Sequence, residues 1–307
     1  MRIGFGAPVS GAWATPHNVG HFAERAEGLG YASLWTFHRL LTPADKEALA
    51  PVYRSVLDPL ITLAYAAART SRIRLGVSLV NFPFVTPVYL AKETASLDVL
   101  SGGRLDLGLG AGWQHEEFVA SGTSPERRGR RAEEFVAALR TLWEDEVSAF
   151  DGEFHTIPSS RQAPKPVQNP HPPVLLGGVA EAALKRAGRI ADGWLSRSAT
   201  DLSRIHEQIA VVRRAAEEAG KDPDAVRVVV RGVVRAGEEA HDKSGERLRL
   251  SGSYDQIRED AAWLGEQGVT ELFYDLNWDP LVGAPDIEPA SATARAAEIL
   301  EALAPTA

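Results

Sequence analysis

Residues 73–80 read Ile73-Arg74-Leu75-Gly76-Val77-Ser78-Leu79-Val80, residues 87–100 read PVYLAKETASLDVL, and residues 104–109 read Arg104-Leu105-Asp106-Leu107-Gly108-Leu109. A short aliphatic run, a helix-length stretch opening on proline and a second aliphatic run form the signature of a βαβ unit. The same alternation continues in both directions. Toward the amino end, Arg2–Val9 and Tyr31–His38 read as strands, with helices over 18–29 and 58–69. Gly30 stops the first helix, and Asp58-Pro59 supplies the cap and first turn of the second. A polar, proline-containing excursion fills 39–56.

Toward the carboxyl end, a long helix covers 127–143. Strands follow at 174–176, 193–196, 227–234 and 271–276, each paired with a helix (180–190, 203–219, 253–266, 290–303). Only 147–173 breaks the rhythm, carrying Pro158, Pro164, Pro166, Pro170, Pro172 and Pro173. Such a density of proline excludes a helix or a central strand, so an inserted loop over one end of the sheet is expected. Eight strand–helix pairs in sequence favour a closed (β/α)8 TIM-type barrel in the α/β class, occupying 1–307 as one domain. An open doubly wound sheet is the alternative, since pattern alone does not show closure.

Composition narrows the function. The chain has 307 residues, 33 Lys+Arg against 41 Asp+Glu, a formal charge of −8 and no cysteine. Thiolate chemistry and disulfides are excluded, and the acidic balance argues against nucleic-acid or anionic-membrane partners. The start MRIGFGAPVSG lacks a signal-peptide core, so a cytoplasmic setting is expected. The histidines show no metal-ligand spacing, and metal catalysis is not expected.

In such barrels chemistry lies at the carboxyl ends of the strands. Gly108-Leu109-Gly110-Ala111-Gly112-Trp113 would let a planar ligand or phosphate approach the backbone, or simply make a tight turn. Leu176-Gly177-Gly178-Val179 opens a helix, where free N–H groups favour an anion. His38 ends the second strand and suits proton transfer. Ser78 and Asn81 end the third. Asp275 and Asn277 share a face at the end of the last, with Arg231 and Arg197 as candidate partners for Asp275. The basic run Arg127–Arg131 reads as a solvated or loop-pairing helix face.

These stretches, with Ala95-Ser96-Leu97-Asp98…Ser101-Gly102-Gly103-Arg104, Phe150-Asp151-Gly152-Glu153-Phe154 and Ala191-Asp192-Gly193-Trp194, resemble the bacterial-luciferase-like flavin and deazaflavin oxidoreductases, and among them the coenzyme F420-dependent branch. The resemblance implies a barrel of that kind with an insertion near 147–173. It implies a tricyclic cofactor, F420 or alternatively FMN, at the strand ends. It puts Ser78-Leu79 at a non-prolyl cis peptide under the ring, Gly110, Ala111 and Gly112 along it, and Gly177, Gly178 and Val179 at the phosphate. Arg197, Lys165 and Arg161 are expected to meet an acidic cofactor tail.

His38 falls where relatives hold a catalytic histidine, with Asp275 as second choice for the proton. Phe37 and Trp113 replace residues that are acidic in sugar-oxidising relatives. A pocket lined by Trp13, Trp35, Phe82 and Trp113 would then suit reduction of C=C or C=N bonds on a small organic substrate, with alcohol oxidation as a further option. The FMN alternative is a monooxygenase supplied by a partner flavin reductase. A homodimer is expected, through faces such as Leu57-Leu60-Ile61 or Leu90-Thr94-Leu97.

Overall fold

In the computed structural model, which describes residues 1–45 and 49–305, eight parallel strands close into a barrel. Residues 46–48 of the polar excursion, and 306–307, lie outside the described residues. The first half runs β1 (Arg2–Gly6), α1 (Pro16–Gly28), β2 (Ser33–Thr36), α2 (Pro59–Ala67), β3 (Arg74–Asn81), α3 (Pro87–Ser101), β4 (Leu105–Gly110), α4 (His115–Ala120) and α5 (Arg128–Glu144). A hairpin follows, β5 (Ser148–Asp151) and β6 (Thr156–Ser160). Next come β7 (Val174–Gly177), α6 (Glu181–Ile190), β8 (Gly193–Leu195) and α7 (Ile205–Glu218). The chain continues with β9 (Arg227–Val233), the short pair β10 (Arg235–Ala236) and β11 (Ser251–Gly252), α8 (Tyr254–Glu266), β12 (Glu271–Asp275) and α9 (Pro289–Ala302).

All eight strands read from the sequence are barrel strands. They are ordered β1-β2-β3-β4-β7-β8-β9-β12, and Ile3 pairs Leu272 to close the ring. The helix starts are local chemistry. Asp58 accepts from the N–H groups of Leu60 and Ile61 at 3.0 and 2.9 Å, and Ser253 and Gln256 form a reciprocal capping box. Gly102 ends α3 at φ +68°, a conformation that favours glycine.

Three features depart from the sequence reading. β1 stops at Gly6 rather than Val9, because the N–H groups of Val9 and Ser10 turn to the Asn277 side chain at 3.4 and 3.2 Å. α4 was not anticipated, being too short to show a period. The insertion holds a hairpin whose tip packs on the first turns of α5, and only its later part meets the barrel at the amino ends of the strands. There Lys165 Nζ donates to the Leu142 and Asp145 carbonyls at the end of α5, both at 2.6 Å. The N–H groups of Val167 and Gln168 donate to Asp98 near the end of α3, at 2.8 and 2.9 Å.

Two apolar layers result. The larger packs the helices on the outside of the sheet. The smaller joins Trp35, Leu175, Leu195, Val229 and Phe273, from five different strands, with Leu79 packed against them. Residues from so many strands can meet only inside the barrel. Trp35 stacks on Phe273 at 5.1 Å, and an added Cβ at Gly76 would lie 2.4 Å from the indole, so that glycine makes the room. Beneath this layer, at the amino ends, Asp106 and Glu271 are fully buried. Arg74 and Arg227 grip Asp106 at 2.7 and 2.6 Å, and Arg2 and Arg227 grip Glu271 at 2.7 and 3.1 Å.

Candidate active site

Side chains alternate along a strand, so residues two beyond the interior layer line the mouth above it. Phe37 follows Trp35, Gly177 follows Leu175, Arg231 follows Val229 and Asp275 follows Phe273. The mouth therefore has two unlike sides. On β4 and β7, glycines leave Leu79 uncovered: an added Cβ at Gly108, Gly110 or Gly177 would lie 3.0, 2.9 or 2.4 Å from its methyl groups. The Ser78-Leu79 peptide preceding this platform is cis. On β9 and β12 the mouth is polar and filled.

Hydrogen bonds tie that polar side together. Arg231 Nε donates to Asp275 Oδ2 at 2.6 Å, and Asp275 Oδ1 accepts from the Asn277 N–H and Nδ2 at 3.0 and 2.9 Å. Asn277 also takes Trp13 Nε1 at 3.3 Å. Arg231 is the partner the sequence suggested for Asp275. With these bonds made, both carboxylate oxygens of Asp275 are occupied at the rim.

His38 is half-buried at the end of β2, and its Nδ1 accepts the Asn81 N–H at 3.2 Å. A backbone N–H can only donate, so Nδ1 carries the lone pair and the neutral ring carries its proton on Nε2. Burial lowers its pKa from the usual value; Asp58 pulls upward and Arg39 downward. Both effects of the site favour neutral imidazole at pH 7.

Beyond Phe37 lies an aromatic group that the sequence reading missed in part. The Arg39 guanidinium stands 4.5 Å from the Tyr53 ring and 4.7 Å from Trp113, while pairing with buried Glu117 at 2.7 Å. Tyr53 meets Trp278 edge-on at 5.4 Å. Of the four aromatics expected to line a pocket, only Trp113 reaches the surface, being 55% exposed. Trp13 packs on Phe22 in the outer core, Trp35 fills the barrel and Phe82 packs on Phe135. A sequence shows that a residue is apolar and not which closed surface will take it.

The phosphate candidate keeps its geometry. Gly177 and Gly178 lead β7 into α6, and no side chain caps the amino end of that helix. Gly178 lies at φ +147°, an added Cβ there would meet Ala183 at 2.5 Å, and its carbonyl accepts Trp194 Nε1 at 2.8 Å. Val179 and Arg197 are exposed beside it. Ala111 and Gly112 continue the β4 rim, Gly112 at φ +67° against Phe84. Bare helix N–H groups reached across glycines fit a phosphate, and the uncovered Leu79 platform fits a flat ring.

Lys165 and Arg161 do not join this site. Lys165 closes α5 at the opposite end of the barrel, and Arg161 pairs with Glu146 just beyond that helix. The basic run is loop-pairing: Arg127 binds Glu153, and Arg127 and Arg131 lie 5.3 and 4.9 Å from the Phe154 ring at the hairpin tip.

A barrel of this topology, with a glycine-lined mouth and an anion-ready helix start, has the architecture on which enzymes binding phosphorylated ligands are built. The model of the luciferase-like monooxygenase family matches residues 3–298, and the chain belongs to that family. An uncharacterized protein of Mycobacterium tuberculosis (strain ATCC 25618 / H37Rv) is 36% identical over 65% of this chain and 74% of its own length. The FMNH(2)-dependent dimethylsulfone monooxygenase of Pseudomonas putida is 31% identical over 52% of this chain and 45% of its own. Among solved structures, monooxygenase RslO1 from Streptomyces bottropensis has a TM-score of 0.78 at 23% identity, covering 99% of this chain and 98% of its own. The coenzyme F420-dependent tetrahydromethanopterin reductase from Methanopyrus kandleri has 0.74 at 17% identity, with the same coverage. Both establish the fold. F420-dependent and FMN-dependent relatives thus stand side by side. No helix among the described residues is long and apolar enough to cross a membrane.

Proposed function

We propose that the chain is a single-domain, cytoplasmic oxidoreductase that uses coenzyme F420 to reduce a polarised C=C or C=N bond of a small organic substrate. The observation that carries this reading is the neutral His38, with its Nε2–H free, beside an uncovered Leu79 platform. Ser78, Leu79, Gly110, Ala111 and Gly112 would hold the ring, Gly177, Gly178 and Val179 the phosphate, and Arg197 the charged arm. When bound, such a cofactor supplies a hydride.

The residues of the chain do the rest. Trp113 and Tyr53, their rings tilted 58° to one another, would give an aromatic surface for the substrate. The Nε2–H of His38 donates a hydrogen bond to the heteroatom on which negative charge develops, as an oxyanion-type donor does, and the proton that completes the reduction is taken from solvent. His38 is badly arranged to remove a proton. For Nε2 to accept one, Nδ1 would have to carry hydrogen against the Asn81 N–H, or the ring would have to become cationic in a desolvated place. This favours a substrate that accepts a hydrogen bond over an alcohol that must lose a proton.

Replacing His38 with alanine should lower kcat/KM by about 10²–10³-fold. The wild-type profile should stay flat from pH 8 down past the ordinary histidine value and fall only below it, because the group works neutral with a lowered pKa. Stopped-flow decay of reduced-cofactor absorbance checks both. A His38→Ala variant with unchanged single-turnover rate would remove His38 from the chemistry.

A second reading, an FMN-dependent monooxygenase fed by a flavin reductase, is favoured by the Pseudomonas putida relative. Parallel titration of the apo-protein with F420 and FMN separates the two. Preferential FMN binding with substrate-dependent oxygen consumption would replace the reading above.

The homodimer belongs to the same proposal. Ile61 on α2 and Tyr89 on α3 are 73% and 70% exposed, with Leu57, Tyr65 and Val88 beside them. The alternative face, Leu90-Thr94-Leu97, is buried against the barrel and is withdrawn. Sedimentation should give a dimer for wild type and a monomer for Ile61→Asp. A wild-type monomer at micromolar concentration would exclude this interface.

A further inference from the structure

The chain just after His38 is tied to α4. Glu117, on that helix, is fully buried. Its Oε1 accepts the Leu40 N–H and its Oε2 accepts Arg39 Nη1, both at 2.7 Å. The Arg39 side chain is 4% exposed, and its Nε is buried with no hydrogen-bond partner. The guanidinium occupies the wedge between Tyr53 and Trp113, whose ring planes meet at 58°.

Stability does not account for this arrangement. A buried ion pair returns little beyond the cost of its desolvation, and an apolar pair of similar volume often serves as well or better. An unpaired buried N–H adds to that cost. What arginine supplies, and an aliphatic side chain would not, is attraction to two ring faces at once. The carboxylate fixes the guanidinium, and the guanidinium fixes the rings. Tyr53 is also flanked by Phe37 at 6.3 Å and Trp278 at 5.4 Å. Trp113 belongs to the loop after β4, at the end of the barrel that bears the mouth, and more than half of it is open. An indole so open would turn among several rotamers unless a neighbour held it.

We infer that Arg39, set by Glu117, is a positioning residue that presents Trp113 in one orientation as a stacking platform, and that the platform selects a planar, conjugated substrate without positive charge. A flat ring gains from contact with a fixed indole, and a puckered one gains less. A ligand cation would find the indole already engaged by Arg39 and would lie close to that like charge. The inference rests on the reading of this mouth as an oxidoreductase site, and narrows its substrate to cyclic conjugated acceptors.

Three probes test it by calorimetry: coumarin, flat and neutral; octahydrocoumarin, the same lactone without the plane; and N-methylquinolinium, flat and cationic. Each is titrated into the full chain loaded with whichever of oxidised F420 and FMN it binds, or into the bare chain if it binds neither. Coumarin should bind about three- to tenfold tighter than either of the others. Arg39→Met/Glu117→Gln removes both charges at similar volume and leaves an acceptor for the Leu40 N–H. In it, the advantage of coumarin over octahydrocoumarin should fall below about twofold. Arg39→Lys keeps the ion pair, and with it the fold, but loses the guanidinium between the rings, and should lie between the two. A change that only weakened the fold would lower affinity for all three probes alike and leave their ratios.

Positioning is read directly in fluorine spectra of 5-fluorotryptophan protein. The resonance that Trp113→Leu deletes should be one sharp line in wild type and should shift or broaden in both Arg39 variants. Equal affinities for the three probes, tighter binding of the cation, or an unchanged coumarin preference in folded Arg39→Lys overturns the inference. Equal affinities in a protein that binds F420 would overturn it and leave the hydride-transfer reading standing. Failure of both cofactors to bind, with the expected probe ratios in the bare chain, would do the reverse.

Discussion

Exchanging Asp106 for asparagine is expected to lower the stability of the barrel by about 3–5 kcal/mol, a large share of the roughly 5–15 kcal/mol that holds a domain folded. Asp106 is fully buried at the amino end of β4, where Oδ1 takes Arg74 Nη2 at 2.7 Å and Arg227 Nη1 at 2.6 Å. Oδ2 takes Arg74 Nε at 2.9 Å and Arg227 Nη2 at 3.1 Å. The amide keeps the shape and one acceptor, and leaves two guanidiniums at the barrel base short of their common anion. Removing one member of a buried charge network costs far more than its net contribution when whole.

The effect carries its own pH signature. Burial alone would raise the carboxyl pKa, yet Arg74 and Arg227 together hold it below the usual value of 3.8. A group depressed on folding contributes stability that is present above its unfolded pKa and lost as pH falls through the folded one. The gap between wild type and Asp106→Asn in guanidinium denaturation should therefore be full at pH 7 and shrink below about pH 4. A gap of equal size at pH 7 and pH 3 would show that the carboxylate charge is not what the arginines require.

The second large effect is on binding. In Gly177→Val the new Cβ would lie 2.4 Å from Leu79 Cδ1, the far end of a flexible side chain. The chain can relieve that contact by turning Leu79 into the mouth, so the variant should fold with an overpacking cost of about 1–3 kcal/mol. The flat platform is then gone. Affinity for the tricyclic cofactor should fall on the order of 100-fold, or about 2.7 kcal/mol. Fluorescence titration with F420 and FMN in parallel measures it for either cofactor. An unchanged Kd for whichever cofactor the wild type binds would mean that the ring does not rest on Leu79.

Gly177 also illustrates how much of the site was legible in advance. Its place before a helix was written in the local order strand-Gly-Gly-helix, and a phosphate site followed from helix chemistry. That it also clears space for Leu79, a residue of β3 four strands earlier in the chain, was not written anywhere local. His38 was legible as a polar residue at a strand end. Its tautomer was not, because the deciding N–H belongs to Asn81, 43 residues away. Arg161 and Lys165 show the reverse failure: their charge invited a role, but Arg161 pairs with Glu146 and Lys165 with the last carbonyls of α5.

The sequence by itself determined the eight strand–helix units, their order and the Asp58-Pro59 start of α2, because period two, period 3.6 and capping chemistry are properties of neighbouring residues. Only the tertiary structure decided which Trp fills the barrel and which meets solvent, that Asp275 is spent on Arg231 and Asn277, and that one nitrogen of Arg39 is left without an acceptor. Those outcomes depend on which strands closure brings together. A hydrogen-bond donor is satisfied or orphaned by whatever stands opposite it in space, and the chain order does not say what that will be.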